Sequence, residues 1–459
     1  MEEKFKSSRY NLITEVNPDS FLVANTLTNG IIRLNHLARE ILDNKIIQPK
    51  HYPPWLFSLL LDNGFIIADS VNELTLLEER HFEARKGKMA LGLTVGVTQN
   101  CNFACTYCYQ QHQPLDLPYD VQQGIINYVK RKLPGREVFM VAWWGGEPLL
   151  RLDIIQKLSS ELRNLCNNYG CEYSAAITTN GYLLSEDTAK NLVDLGVCDV
   201  QVTIDGPPKI HNQRRCLNGG GGSFDRIFEN LLTNAHLFER VIVRINIDKY
   251  NADSIENLLD ILTPLKQWIT IAFRAVTSPK TPNCSAPGCL SGPDYWTLED
   301  KLSIMASQKG FRLNFGYSIP STSFCTAYQT NSIMVDAYGD VHRCPVCIGR
   351  RQDRMGILNE DGTISDLGGI QLKWDNWNPF EDSECRDCFA LPVCMGGCLW
   401  YLGMSKDGAL RCFAKHNLIE RMKSDDLLAS LPVNLTSRMA PAGSSWSDGS
   451  CIAKAPIRR

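Results

Sequence analysis

Cys101, Cys105 and Cys108 stand in the segment CNFACTYCY at a CxxxCxxC spacing. Three thiolates on one short loop can bind three corners of a cubane iron-sulfur cluster and leave the fourth iron open to an exogenous ligand. Zinc is the competing metal for such a triplet, but a structural zinc site is closed by four side chains. Further along come Cys325, then Cys344 and Cys347 in GDVHRCPVC, then Cys385, Cys388, Cys394 and Cys398 in a CxxCxxxxxCxxxC run, and finally Cys412. One closed site needs four ligands and this set offers eight, so two further cubane clusters account for it. A zinc ribbon is the default for one isolated CxxC pair. Cys166, Cys171, Cys198 and Cys216 carry no such spacing and read as buried small hydrophobes. Cys284 and Cys289 fall in a Pro/Gly-rich loop, and Cys451 reads as an exposed thiol near the end of the chain.

Such thiols need elements that hold them together. From Met89, the segments LGLTVGVT, VFMVAWW, YSAAITT, VCDVQVTI, VIVRINI and WITIAFRAV read as strands. Between them, LDIIQKLSSELRNLC, SEDTAKNLVDLG and SIENLLDILTPL repeat apolar residues at helical spacing. The alternation predicts an α/β fold, a partial (β/α)6 TIM-like barrel over residues 89–300, with chemistry at the carboxyl ends of its strands. The cysteine triplet directly follows the first of these strands. Upstream, SFLVANTL and GIIRLN flank an Asn29-Gly30 turn, and HLAREILD and PPWLFSLLLDNG read as helices before the strand FIIAD. This predicts a small α+β, winged-helix-like domain over residues 1–88, with LLEERHFEARKGK as the linker or helix that leads on. After about Lys280 the periodicity weakens and Gly, Pro, Cys and Trp accumulate, which predicts a loop-rich domain over 301–430 held by iron-sulfur clusters. Residues 431–459 read as a flexible tail.

Composition narrows the function. A chain of 459 residues holds about three domains at roughly 150 residues each. Its formal charge of −3 is too balanced for a nucleic-acid partner bound by bulk electrostatics. The apolar run WLFSLLL is too short to span a membrane. No charged, apolar, small-residue leader is evident, so a cytoplasmic location is expected, disulfides are not expected, and those of the 18 cysteines at close, repeated spacing are expected to be metal ligands.

The triplet Cys101, Cys105, Cys108 resembles the signature of the radical S-adenosylmethionine (SAM) enzymes, in which the amino and carboxylate groups of SAM chelate the open iron. By that resemblance Tyr107 lies near the adenine, and the turn Gly145, Gly146, Glu147, Pro148 binds the ammonium. The turns Thr178-Thr179-Asn180-Gly181 and Thr203-Ile204-Asp205-Gly206 face the ribose and the methionyl carboxylate; Asn180 reads equally well as a plain turn residue. In HNQRR, Arg215 matches the arginine aimed at the carboxylate and is preferred over its neighbour Arg214, which reads as an exposed surface charge or as the inward one of the two. Arg244 and Asn246 alternate in phase on the fifth strand, so both face one side. The region Cys325 to Cys412 resembles the SPASM extension. That implies one auxiliary cluster on Cys385, Cys388, Cys394 and Cys412, and another on Cys325, Cys344 and Cys398 whose fourth ligand is Cys347, the substrate, or none.

The resemblance implies three 4Fe-4S clusters, SAM, an electron donor such as flavodoxin or ferredoxin, and reductive cleavage of SAM to a 5′-deoxyadenosyl radical that abstracts hydrogen. The small domain ahead of the barrel resembles leader-peptide recognition domains, which points to a ribosomally made precursor peptide and an oxidative modification such as a thioether or carbon-carbon crosslink. An anaerobic sulfatase maturase, which makes formylglycine, is the alternative. Enzymes of that kind carry Asp where Pro345 follows Cys344 here. A non-catalytic electron carrier or redox sensor is the alternative of another class, and it needs neither the GGEP turn nor an arginine for a carboxylate. No residue is assigned as catalytic; His112 and Asp205 are near the mouth in chain order only.

Overall fold

Strands that are apolar on both faces need cover on both faces, and parallel βα units provide it. The computed structural model describes residues 3–18, 20–86, 89–276, 288–290, 292–314, 325–368, 374–398, 415 and 418–419. Cys284, Cys412, Cys451 and the tail over 431–459 lie outside the described residues.

The six strands expected from sequence are β6 (Ala90–Gly96), β7 (Val138–Trp144), β8 (Glu172–Thr179), β9 (Val197–Thr203), β10 (Arg240–Ile247) and β11 (Ile269–Ala275). They pair in chain order, all parallel. One set of their side chains, including Val95, Ile177, Val202, Val243, Ile245 and Ile271, is almost fully buried in one apolar core. That core is shared with the helices α4 (Tyr119–Lys132), α5 (Leu152–Tyr169), α6 (Glu186–Asp194), α8 (Phe224–Asn234) and α9 (Ile255–Leu262). The short α7 (Pro208–Arg214) follows β9 and ends at the predicted arginine pair. Local signals set the boundaries: Gly170, at φ +66°, caps α5, and the Ser185 hydroxyl accepts from the Thr188 amide at the start of α6.

The sheet continues on both sides of the six strands. The helix α10 (Gly292–Gln308) crosses the 300/301 boundary and buries Tyr295, Leu302 and Ala306 in the barrel core. It leads to β12 (Arg312–Leu313), parallel to β11. At the other edge β13 (Ser332–Val335) runs parallel to β6. Then β14 (Asp340–His342), β15 (Gly356–Leu358) and β16 (Ile364–Ser365) follow, all antiparallel. Cys344 and Cys347 therefore sit just past a strand of the sheet that also carries Cys101.

Ahead of the barrel, β1 (Phe5–Ser7) pairs with β5 (Ile66–Ala68), and β2 (Asn11–Asn17), β3 (Ser20–Asn25) and β4 (Gly30–Leu34) form an antiparallel sheet. Asn29, at φ +61°, turns the expected hairpin between β3 and β4. The helices α1 (His36–Asp43) and α2 (Pro54–Asp62) close a separate small core around Val23, Ile41, Leu60 and Phe65. The helix α3 (Glu73–Lys86) occupies the expected linker. Tyr10 and Leu77 pack with Phe380, Leu391 and Met395, so the first unit rests on the segment that bears Cys385, Cys388 and Cys394. Arg85 reinforces the contact by donating to the carbonyls of Trp374 (2.6 Å) and Trp377 (2.8 Å). No helix among the described residues is long and apolar enough to cross a membrane.

Candidate functional site

The loop after β6 carries the triplet, and its backbone is pinned from several strand ends. Asn218 donates to the Cys101 carbonyl (2.6 Å), and the Asn180 amide donates to the Asn102 side chain (2.7 Å). The Ala104 and Thr106 amides donate to the carbonyls of Cys216 (2.9 Å) and Arg214 (3.0 Å). Cys101 is buried, Cys105 half-buried and Cys108 exposed, so the thiols climb from the core to the mouth. Burial pushes the Cys101 thiol up to about 12 and Cys105 to about 11, and the neighbouring thiolates add to the shift. Three thiols close enough to raise one another suit a metal whose positive charge reverses that cost. His112 joins them, with its Nε2 3.5 Å from the Cys108 sulfur.

The turn after β7 presses against this loop. Gly146 and Glu147 donate their amides to the carbonyls of Thr98 and Asn100, both at 2.8 Å. The Glu147 carboxylate accepts from Thr179 Oγ1 (2.6 Å), Leu149 N (3.0 Å) and Asn180 N (2.7 Å). Its side chain is therefore a positioning group that ties the end of β7 to the end of β8. The contact expected of this turn with a cofactor is left to its backbone. Asn180 is likewise spent on the protein, since its side-chain oxygen accepts from the Tyr182 amide (2.9 Å).

At the ends of β9 and β10 lies a buried polar network. The Tyr107 hydroxyl donates to Asp205, and it accepts from Arg215 Nη1 (2.8 Å) and Asn246 Nδ2 (3.1 Å). Arg214 is consumed: it donates from Nη1 to both oxygens of Asp248 (2.8 and 2.7 Å) and stands 3.7 Å from Asp205. Arg214 is buried, which corrects its reading as a surface charge. Arg215 differs in having no carboxylate in an ion pair with it among the described residues: its Nη1 donates to the Tyr107 hydroxyl, and its buried Nε, like that of Arg214, has no hydrogen-bond partner there. Burial opposes the Arg215 charge, but Tyr107, Cys105 and Asp205 outweigh it and hold the pKa above the ordinary value. His211 accepts at Nδ1 from the Asp205 amide (3.2 Å), so its Nε2 carries the proton toward Ser223 (3.2 Å). Burial, with Arg215 and Arg214 beside it, keeps that imidazole neutral. Thr203 is buried at the end of β9, opposite Arg244. Asp248 and Asn246 were not singled out together from sequence. The signal was there: Ile247-Asp248 at the end of β10 repeats Ile204-Asp205 after β9.

Cys325, Cys344 and Cys347 gather with Tyr328 and Trp374, and Tyr328 donates to the Gly397 carbonyl (2.6 Å), beside Cys398. Burial pushes Cys325 up to about 12, with Cys398 and Cys344 adding to it. Cys344 and Cys347 share a sulfur hydrogen bond that lowers the pKa of Cys344. A separate small cavity is lined by Cys385, Cys388, Cys394, Leu391 and Lys415. Lys415 was not expected there. Cys289 is disulfide-bonded, against the expectation of no disulfides. Cys216 is half-buried against the triplet loop rather than in the core.

Residues 95–262 match the family model described as the Radical SAM superfamily. Mycofactocin maturase MftC of Mycolicibacterium smegmatis is 25% identical over 355 residues, 69% of this chain and 80% of that protein. Among solved structures, native anSMEcpe with bound AdoMet aligns with a TM-score of 0.56 at 20% identity, covering 72% of this chain and 96% of that one. Streptococcus suis SuiB bound to precursor peptide SuiA aligns with a TM-score of 0.51 at 16% identity, covering 88% of this chain and 97% of that one. The 88% share is larger than residues 89–459 can supply by themselves, so the similarity of fold reaches into the unit ahead of the barrel.

Proposed function

The chain carries a radical SAM domain over residues 95–262, and we propose that it is a peptide maturase that oxidatively modifies a ribosomally made precursor, for example by a thioether or carbon-carbon crosslink. The observation that carries the reading is the buried Arg215, which forms no ion pair with a carboxylate among the described residues and keeps a buried Nε without a hydrogen bond, beside a loop of three thiols. A guanidinium left with a free donor at that place suits the carboxylate of SAM. When bound, the cluster and SAM supply reductive cleavage and a radical able to take hydrogen from carbon.

The protein's own part is to hold and exclude. Cys101, Cys105 and Cys108 would hold three irons of a cluster. Arg215 holds the carboxylate and is itself aimed by the Tyr107 hydroxyl, which Asp205 and Asn246 fix. The backbone of Gly145 to Glu147 meets the ammonium, Thr203 lies on the SAM side of the barrel, and the barrel wall keeps water and competing hydrogen donors away. The auxiliary sites hold two further 4Fe-4S clusters, one on Cys325, Cys344, Cys398 and Cys347, and one on Cys385, Cys388, Cys394 and Cys412. Bound there, such clusters would supply an acceptor for the electron left on the substrate.

Relatives support the peptide: MftC is named a maturase, and SuiB is bound to a precursor peptide. Exposed Ile31, Leu37, Ile46 and Trp55 on the first unit offer it an apolar surface. Pro345 after Cys344 counts against sulfatase maturation. The clusters call for a reducing cytoplasm and an electron donor such as flavodoxin or ferredoxin.

Anaerobically reconstituted protein given dithionite and SAM is expected to release 5′-deoxyadenosine, and a precursor peptide encoded beside it to lose two hydrogens by mass. No 5′-deoxyadenosine at full iron loading would instead mark an electron carrier. Arg215→Gln is expected to weaken SAM binding by about ten- to a hundredfold, the range of a charge-assisted hydrogen bond. Equilibrium dialysis checks it, and an unchanged affinity would remove Arg215 from the site. Cys388→Ala is expected to lower the thermal midpoint by several degrees as well as activity, because Cys388 lies in the segment on which Tyr10 and Leu77 rest and a cluster held there would be part of its folding. A melt identical to wild type would separate that cluster from folding.

A further inference from the structure

The barrel interior holds two cations that the SAM site leaves unused. On β10 and β11 the odd-numbered residues Val243, Ile245, Ile271 and Phe273 are buried in the apolar core, so the even-numbered ones face the other way, into the barrel. Asn246 shows that direction, since it reaches the Tyr107 hydroxyl. The parallel register sets Arg244 opposite Ala272 and Asn246 opposite Arg274, which makes Arg244 and Arg274 diagonal neighbours on the inner face. Both are half-buried. Among the described residues their bonds to protein are few: Arg244 Nε donates to Asn246 Oδ1 (2.8 Å), and Arg274 Nη1 donates to the Phe273 carbonyl (2.6 Å).

No carboxylate among the described residues forms an ion pair with either. The acids nearest them are committed elsewhere. Asp205 takes Tyr107 and the Asn246 amide, Asp248 takes Arg214, and Glu147 takes three donors from the ends of β7 and β8. Tyr109 stands close enough for its hydroxyl to feel Arg244, and that hydroxyl reaches the Pro345 carbonyl at 3.4 Å. The pair therefore lies between the SAM side of the barrel and the segment bearing Cys344. Two like charges held together in a partly desolvated interior are unfavourable until an anion joins them. SAM does not answer that need, because its one carboxylate is met by Arg215.

We infer that Arg244 and Arg274 form the receptor for a carboxylate of the peptide substrate, and so fix which residue of the peptide lies under the SAM site. The inference rests on the peptide reading above. It specifies an acidic substrate, whose carboxylate is either the chain terminus or an Asp or Glu side chain.

The test uses the reconstituted full chain, saturated with SAM and without reductant, titrated calorimetrically with three probes. They are N-acetyl-triglycine with a free carboxylate, its C-terminal amide, and N-acetyl-Gly-Asp-Gly amide. At least one carboxylate probe is expected to bind about tenfold or more tightly than the amide, the low end for a charge-assisted pair. Which of the two does so identifies the source of the carboxylate. In Arg274→Gln and Arg244→Gln that preference is expected to disappear. Equal binding of all three probes to wild type, or no binding of any, overturns the inference whether or not the variants fold. Release of 5′-deoxyadenosine is measured separately on wild type. Protein that prefers carboxylate but leaves SAM intact keeps the receptor and removes the maturase reading.

Discussion

Replacement of Cys101, Cys105 and Cys108 together by Ala is expected to abolish 5′-deoxyadenosine release while about two-thirds of the iron stays, as three independent cubane sites require. The geometry argues for independence. The triplet loop is held by hydrogen bonds from Asn180, Asn218 and the amides of Gly146 and Glu147, none of which involves a thiol. Removing the sulfurs therefore leaves the loop in place and the barrel core untouched. The second thiol group is anchored by Tyr328 and Trp374, and the third by the contact with Tyr10 and Leu77. Colorimetric iron and chromatographic 5′-deoxyadenosine on the same sample check the prediction. Iron at zero would mean that the auxiliary sites need the first cluster to form, and retained cleavage would remove the triplet from the chemistry.

Legibility in the sequence followed the length of the signal. The strands β6 to β11 are seven or eight residues each, rich in Val and Ile, and separated by amphipathic helices, so pattern alone finds them. By contrast β12 and β16 have two residues each, and β14 and β15 three. A run that short has no period to read, and pairing is what makes it a strand, with the distant β11 for β12 and with nearby strands for β14, β15 and β16. The helix α10 was hidden for another reason: Gly292 and Pro293 at its start extend the Pro/Gly-rich composition before it, while Tyr295, Leu302 and Ala306 carry its buried stripe.

The site divides in the same way. Cysteines announce themselves by type and spacing. Whether a polar residue faces a cofactor or holds a turn depends on partners from other strands, and no local pattern records them. Asn180 reads from sequence both as a cofactor contact and as a turn residue, and its side chain, like the Glu147 carboxylate in the neighbouring turn, is bound to protein. The choice between Arg214 and Arg215 depended on Asp248, which is 34 residues away from Arg214 in the chain and 2.7 Å away in space.

Gly146→Ala is expected to be nearly as damaging as loss of the triplet, for a reason the thiols do not share. A Cβ at Gly146 would stand 2.1 Å from the carbonyl oxygen of Asn100, 2.7 Å from its carbon and 3.0 Å from the carbonyl oxygen of Gln99. These are backbone atoms immediately before Cys101, so no side-chain rotation relieves the clash, and the loop itself must shift. Its amide bonds to Thr98 and the neighbouring Glu147 bond to Asn100 would be strained in the same movement. Overpacking of this kind costs about 1–3 kcal/mol in stability. The larger loss is functional, because the displaced atoms set where Cys101 presents its sulfur, and misplacement by about 1 Å can cost on the order of a hundredfold in rate. The expected result is 5′-deoxyadenosine release at about a hundredth of wild type or less, with iron lost from the first site alone. Gly135→Ala is the control: Gly135 has φ +76° but nothing within 4 Å, so only the left-handed penalty of about 1–2 kcal/mol applies and cleavage continues. Full activity in Gly146→Ala would show that the loop yields without moving its sulfur, and that the turn's glycines serve only to let a backbone carbonyl approach the cofactor.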